Sequence, residues 1–420
     1  MKVTVYPSAI QGKVRIPSSK SYMQRVLVAS LLSGGTSTIK NPGRSEDELN
    51  MLRVIGLLGA QSEDQETHLT INGGFEPSIS HLNIGESGLG IRLIIPVLAL
   101  SEREITIDGQ GSLKKRPMGI IEQVLREAGV ECTTSGGYLP FKVKGPLKGG
   151  QIELDGSVSS QFLSGLLFAL PLAEKDSRIE VKNLKSRPYV DMTLEVLELF
   201  GIEVENQNYE VFNIPGNQQY HSREIEIEGD WSNAAFFFTG AAIQGDLQIE
   251  GLNPSSMQGD RKILEVLRSC GVKIKLSHGI YNIQNPHELK PFEFDATDTP
   301  DLFPPLGVLA AYCQGTSSIK GVHRLRYKES NRAEAIMQEL GNVGIDSYVG
   351  DDDRMHITGG KPVGGAWDSH NDHRMAMAGA IIALASENPV GITNARAVGK
   401  SFPTFFDTLK TLHVEVREEV

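Results

Sequence analysis

Leu199-Phe200-Gly201-Ile202 decides the fold. An apolar helical run that stops at glycine and passes to a β-branched or small residue reads as a helix with a left-handed cap, turned directly into a short strand. The phrase returns as Leu57-Leu58-Gly59-Ala60, Glu127-Ala128-Gly129-Val130, Ser269-Cys270-Gly271-Val272 and Asn342-Val343-Gly344-Ile345, and once without glycine as Thr411-Leu412-His413-Val414. Positions 59, 129, 201, 271, 344 and 413 lie 70, 72, 70, 73 and 69 residues apart, and one sixth of the 420-residue chain is 70. Such a fixed period is an internal repeat.

A second element keeps the same phase: a loop of small and polar residues opening into an Ala- and Leu-rich helix. Its copies are Pro17-Ser18-Ser19-Lys20-Ser21, Gly85-Glu86-Ser87-Gly88, Ser157-Val158-Ser159-Ser160-Gln161, Gly229-Asp230-Trp231-Ser232-Asn233, Asp298-Thr299-Pro300-Asp301 and His370-Asn371-Asp372-His373. Each unit therefore reads as strand, loop, helix, strand, helix, then strand, with a capped helix near its start. A solenoid is disfavoured, because about 70 residues exceeds the usual solenoid period of roughly 20 to 50.

Six units are too many for one core, and a chain of this length is expected to form two or three domains at about 150 residues each. Placing three units in each of two similar domains puts one at 17–228 and the other at 1–16 plus 229–420. The N-terminal strands, residues 3–6 and 13–16, precede the first helix opening and are expected to pair at the other end of the chain.

Composition narrows the class. Hydrophobic residues at 40% and charged residues at 22% describe an ordinary globular chain. The apolar runs fall short of the ~18 residues a transmembrane helix needs, and the strand-like Met1-Lys2-Val3-Thr4-Val5-Tyr6 start lacks the apolar core of a signal peptide. A cytoplasmic protein is expected. Cys132, Cys270 and Cys313 are far apart and form no C-x-x-C pair, which argues against a disulfide framework and a thiolate zinc site. A net charge of −11 disfavours nucleic acid as a partner but leaves room for locally basic sites that hold small anions.

Those sites are expected at the helix openings, where unpaired N–H groups and the positive end of the helix dipole attract phosphates and carboxylates. Lys20 and Arg25 stand in the first opening, Arg92 after the second and Arg374 in the sixth, beside the basic runs Lys114-Lys115-Arg116-Pro117 and Arg324-Leu325-Arg326-Tyr327-Lys328-Glu329-Ser330-Asn331-Arg332. Singly, each group has a plainer reading. A lone Lys or Arg is usually a solvated charge, Ser18, Ser19, Asp230 and Asp298 read as caps, and Asp301 as an N-cap after Pro300. Gly88 reads as a cap, Glu329 with Arg332 as a surface ion pair, and His370 with His373 as capping and anion groups rather than metal ligands. Recurrence at equivalent points of the repeat favours ligand contact.

From end to end the motifs resemble the 5-enolpyruvylshikimate-3-phosphate synthase family. They are Pro17-x-x-Lys20-Ser21-x-x-x-Arg25, Arg116-Pro117-Met118-Gly119, Asp155-Gly156-Ser157-Val158-Ser159-Ser160-Gln161-Phe162, Ser186-Arg187-Pro188-Tyr189-Val190-Asp191-Met192-Thr193, Ser256-Met257-Gln258-Gly259-Asp260, Lys328-Glu329-x-x-Arg332, Asn371-Asp372-His373-Arg374-Met375-Ala376-Met377 and Lys400-x-Phe402-Pro403. The resemblance implies an α/β (α+β) fold of two domains, each of three βαβαββ-type units, with the active site in the cleft between them. It implies transfer of the enolpyruvyl group of phosphoenolpyruvate to the 5-hydroxyl of shikimate 3-phosphate, with release of phosphate, in a monomer that needs no metal or organic cofactor. Carried over residue by residue, it assigns Lys20, Ser21, Arg25, Ser159, Ser160, Gln161, Ser186, Tyr189, Asp301 and Lys328 to shikimate 3-phosphate. It assigns Lys20, Gly88, Arg116, Gln161, Arg332, Arg374 and Lys400 to phosphoenolpyruvate. Some of these residues precede Glu228 and others follow it, so the domains are expected to close on the sugar phosphate.

The chemistry requires a proton for the phosphoenolpyruvate methylene and a base for the attacking hydroxyl. Asp301 is the leading base, with Glu329 and Lys20 as candidates for proton traffic at the methylene. Two readings compete. A UDP-N-acetylglucosamine enolpyruvyl transferase is expected to carry a reactive cysteine in the loop Gly109-Gln110-Gly111-Ser112-Leu113-Lys114-Lys115-Arg116, which has none. A catalytically silent scaffold has no reason to gather Asp301, Glu329 and the cations. One stretch departs from the common family form, which resembles Asn-Ala-Gly-Thr-Ala-x-Arg: here it is Glu86-Ser87-Gly88-Leu89-Gly90-Ile91-Arg92. Glu86 and Leu89 are expected to weaken inhibition by glyphosate while leaving phosphoenolpyruvate in use.

Overall fold

The computed structural model describes residues 1–157 and 159–419; Val158, inside the third helix-opening motif, lies outside the described residues. The glycines of the repeated phrase do what the reading requires of them: Gly59, Gly129, Gly201, Gly271 and Gly344 all hold positive φ, between 82° and 120°. At the sixth position His413 takes φ 66° without the freedom of glycine.

By contacts the chain divides into a continuous unit, Ser18–Ile227, and a split unit, Met1–Pro17 with Glu228–Val420. Among the described residues each contains three four-stranded sheets of one pattern, a parallel pair followed by two antiparallel pairs. Among the described residues the second helix of each of the first five repeats is followed by a two-stranded hairpin rather than one strand, as in Glu205–Gln207 against Val211–Ile214, and in the sixth by the single strand Val416–Glu419. The extra strand follows from sheet geometry, since a hairpin needs only a short turn to add its own partner.

Chain order and sheet membership separate at three places. Glu224–Glu226, the last strand of the continuous unit, pairs in parallel with Thr36–Lys40 and completes that unit's first sheet. In the split unit Ile10–Arg15 pairs in parallel with Gly245–Glu250, and Lys2–Val5 lies between Val390–Thr393 and Val416–Glu419.

The first helix of each repeat is apolar on nearly every side and sits in the core. Gly88–Leu98, Phe303–Ala311 and His373–Ile382 are buried at every residue. In Lys20–Leu32 only Lys20 and Ser21 escape burial, and in Ser160–Ala169 only Gln161 does. Polar N-terminal ends are thus presented by helices whose bodies are locked in hydrophobic packing. The second helices, such as Glu46–Leu57 and Arg332–Asn342, bury one face only. Among the described residues no helix is long and apolar enough to cross a membrane.

Candidate active site

In the split unit the sequence-selected charges converge on Asp301, which stands in the 3-10 turn Pro300–Leu302 leading into Phe303–Ala311. It is therefore not the N-cap; Thr299 holds that place, and Asp298 lies one residue further out. The Asp301 carboxylate accepts from Arg332 Nη1 at 2.6 Å, Lys328 Nζ at 3.2 Å and Arg374 Nη2 at 3.2 Å. Burial pulls its carboxyl upward, but the charges of Arg374, Lys328 and Arg332 win and hold it well below the usual carboxylate range. Burial draws the Lys328 ammonium below its ordinary value, against the pull of Asp301.

Arg332 is the hub. Its Nε and Nη2 reach both oxygens of Asp372 at 2.7 and 3.2 Å, and Nη2 also donates to Glu329 at 2.6 Å. The Arg332 side chain is 1% exposed and that of Glu329 19%, so the pair is largely buried and not the surface ion pair that i,i+3 spacing suggests. Burial opposes its charge, but Asp372, Glu329 and Asp301 push the guanidinium well above its usual range. Asp372 in turn caps His373–Ile382 through the Arg374 N–H. Lys400 donates to the Asn371 carbonyl at 2.7 Å.

In the continuous unit Ser19, Ser87 and Ser159 cap the three core helices by accepting from Tyr22, Gly90 and Gln161 N–H groups. Gly88 is the first helical residue after its cap, and its missing side chain has a use: a Cβ there would stand 2.1 Å from Arg116 Nη1 and 3.2 Å from Arg92 Nη1. Arg92 donates to the Gly88 carbonyl and to Gln161 Oε1, both at 3.0 Å. Gly88, Arg116 and Gln161 are thus brought together. Lys20 pairs with Asp47 at 2.9 Å. Ser160 is buried at its helix start, and Ser186 takes left-handed φ 57° at the N-cap of Arg187–Leu199.

Arg25 is placed differently from the other cations. It is fully buried and donates to Thr193 Oγ1 at 2.8 Å, the Ser21 carbonyl at 2.8 Å and the Tyr189 carbonyl at 3.0 Å. Burial pushes its guanidinium down to about 10. It thereby braces Ser21 and Tyr189 against each other across two helices.

Sequence reading missed several partners. Asp47 stands among Glu46, Asp47 and Glu48, which read simply as acids favouring a helix N-terminus. Asp260 was visible in a motif but given no role; it is 1% exposed, accepts from the Ser232 hydroxyl, and is pushed up to about 6 by burial and by the charge of Asp301, against Arg374. Glu86 accepts from the N–H and hydroxyl of Ser112, both at 3.4 Å, while Leu89 is buried in the core. Cys132 is buried on the strand Glu131–Ser135. Among the described residues no group of three or more His, Cys, Asp or Glu side chains is placed to hold a metal ion.

The profile of the family "EPSP synthase (3-phosphoshikimate 1-carboxyvinyltransferase)" matches residues 5–409. A 3-phosphoshikimate 1-carboxyvinyltransferase of Clostridium acetobutylicum is 38% identical over 424 residues, covering 99% of this chain and 98% of its own. One from Aeropyrum pernix is 36% identical over 416 residues, covering 99% and 96%. Among solved structures, an EPSP synthase from Acinetobacter baumannii superposes with TM-score 0.83 at 28% identity, over 99% of this chain and 100% of that one. The enolpyruvyl transferase NikO from Streptomyces tendae shares the fold, with TM-score 0.80 at 17% identity over 99% and 98% of the two chains. Two runs of three like sheets, core helices that present capped polar ends, and this full-length similarity together place the chain in the EPSP synthase family.

Proposed function

We propose that this chain is a 3-phosphoshikimate 1-carboxyvinyltransferase. It joins the 5-hydroxyl oxygen of shikimate 3-phosphate to C2 of phosphoenolpyruvate, C3 of the enolpyruvate takes a proton, and the tetrahedral adduct then loses inorganic phosphate and a methyl proton. The observation that carries this reading is the single carboxylate Asp301 held by Lys328, Arg332 and Arg374. Two anionic substrates need such cations, and a hydroxyl nucleophile needs such a carboxylate.

Alone, Asp301 is a weak base, because the three cations stabilise its charged form. Phosphoenolpyruvate brings a carboxylate and a phosphate that compete for Arg332, Arg374 and Lys400. As those groups turn to the substrate, Asp301 recovers proton affinity at the moment the hydroxyl must be deprotonated. The arginines then stabilise charge gathering on the departing phosphate. Glu329 and Lys20 carry protons to and from C3 in this scheme. In the continuous unit Lys20, Gly88, Arg116 and Gln161 take the remaining part of phosphoenolpyruvate, and Ser21, Arg25, Ser159, Ser160, Gln161, Ser186 and Tyr189 serve the sugar phosphate. Arg25 does so through its charge and by bracing Ser21 and Tyr189.

The test is phosphate release by purified protein given phosphoenolpyruvate with shikimate 3-phosphate, and separately with UDP-N-acetylglucosamine. Release with the first acceptor alone is expected. Release with the sugar nucleotide alone, or with neither, overturns the proposal.

A further inference from the structure

Glu339 lies two turns beyond Arg332 on the helix Arg332–Asn342 and is wholly buried. A carboxylate in such a place is costly unless its oxygens are well used. Oε2 accepts from the Asp368 N–H at 2.9 Å and from Asn342 Nδ2 at 3.1 Å, and Oε1 meets His370 Nε2 at 2.8 Å. Asp368 ends the strand Gly365–Asp368, and His370 lies in the segment between that strand and the helix His373–Ile382.

That segment is strained. His370 and Asn371 are consecutive non-glycine residues in the left-handed region, at φ 51° and 54°, a conformation that persists only where the surroundings impose it. Further ties come from the His370 N–H to Asp368 Oδ1, the Asn371 N–H to Ser369 Oγ and the Asp372 N–H to the Ser369 carbonyl. The turn has a definite output. It points the Asn371 carbonyl at Lys400, 2.7 Å away, and delivers Asp372 to Arg332 and to the Arg374 N–H.

We propose that Glu339 is a positioning residue for phosphoenolpyruvate: by gripping His370 and the Asp368 amide it holds the left-handed turn that sets Lys400, Arg332 and Arg374. It touches no reacting atom. The proposal rests on the reading that these three cations hold phosphoenolpyruvate, so Lys400→Ala serves as the benchmark for that reading.

Glu339→Ala, Glu339→Gln, His370→Ala and Lys400→Ala are compared by KM for phosphoenolpyruvate, kcat, the dissociation constant of shikimate 3-phosphate and melting temperature. Glu339→Ala is expected to raise KM about 10- to 100-fold, the scale of a misplaced binding group, with sugar-phosphate binding changed by less than about twofold. Glu339→Gln is expected within about threefold of the parent, since its amide oxygen still accepts from Asp368 and its NH2 meets His370 in the other tautomer. A folded Glu339→Ala protein with lowered melting temperature but parental KM overturns the positioning role while Lys400→Ala still raises KM. If Lys400→Ala leaves KM unchanged, the substrate assignment fails and the proposal with it. Should Glu339→Ala not fold, His370→Ala must show the same split in KM and sugar-phosphate binding, and its absence overturns the proposal.

Discussion

Arg25 and Arg332 are both guanidiniums sealed inside a unit near the start of a helix, yet their surroundings are opposite. Arg332 is shared by Asp301, Glu329 and Asp372, whereas Arg25 donates to a hydroxyl and two carbonyls, all neutral. Burial drives Arg25 down to about 10, and against the same burial the carboxylates drive Arg332 well above its usual range. The charge of Arg332 is balanced before any substrate arrives. The charge of Arg25 is not balanced by its hydrogen-bond partners. The split unit thus holds a guanidinium neutralised by carboxylates, and the continuous unit one held by neutral oxygens alone.

Removing each arginine should break this symmetry of burial. Arg332→Met removes the cation shared by Asp301, Glu329 and Asp372 and is expected to cost about 3 to 5 kcal/mol in stability, the scale of a buried ion-pair network deprived of one partner. Arg25→Met strands only neutral oxygens and is expected to cost about 1 to 3 kcal/mol, while weakening shikimate 3-phosphate. Denaturant unfolding of the two variants measures the difference. Equal losses, or a larger loss for Arg25, would mean that the carboxylates around Arg332 are not the source of its anchoring.

Asp260 sharpens the same contrast, because it belongs to the acid-rich side. Its folded value of about 6 lies above the ordinary 3.8, so the folded chain keeps a proton that the unfolded chain has lost between those values. Stability must therefore fall as pH rises from about 4 to 6, leaving a constant penalty above that range. Asp260→Asn removes the penalty. It is expected to raise stability at pH 7.5 by on the order of 2 kcal/mol, with parent and variant converging toward pH 4. Melting profiles across that range that stay parallel would remove Asp260 from the charge balance.

The smallest effect concerns the loop before Gly88–Leu98, where Glu86 reaches toward Ser112 and Leu89 fills core space. Glu86→Asn with Leu89→Thr is expected to tighten glyphosate by about threefold to tenfold against phosphoenolpyruvate, the scale of one polar contact regained. An unchanged inhibition constant would make the departure from the common family form purely structural.

The repeat was legible because each cap is a local event: a glycine at φ near 82° needs nothing from elsewhere in the chain. Strand membership was harder. Nothing local in Glu224-Ile225-Glu226 says that it completes a sheet begun at Thr36, since a parallel partner is chosen by tertiary packing. The site divided along the same line. Its cations stood out as Lys and Arg beside Gly and Ser in a chain of net −11. Asp301 and Glu329 stood out beside them, but Asp47 and Glu339 did not, because they sit in ordinary helical stretches and acquire meaning only when Lys20 and His370 are folded against them. Asp372 lay within a quoted motif, but its grip on Arg332 across 40 residues is a product of the fold.

Under the proposed function Asp301, held charged by three cations, accepts the hydroxyl proton when substrates draw those cations away. Asp301→Ala tests it in a steady-state phosphate-release assay paired with titration of shikimate 3-phosphate. Turnover is expected to fall by a factor of about 10² to 10⁴, the scale for a positioned general base, with a smaller change in sugar-phosphate affinity. Turnover within a few-fold of the parent, in a protein that still binds shikimate 3-phosphate, would contradict the claim and reduce Asp301 to a charge that organises Lys328, Arg332 and Arg374.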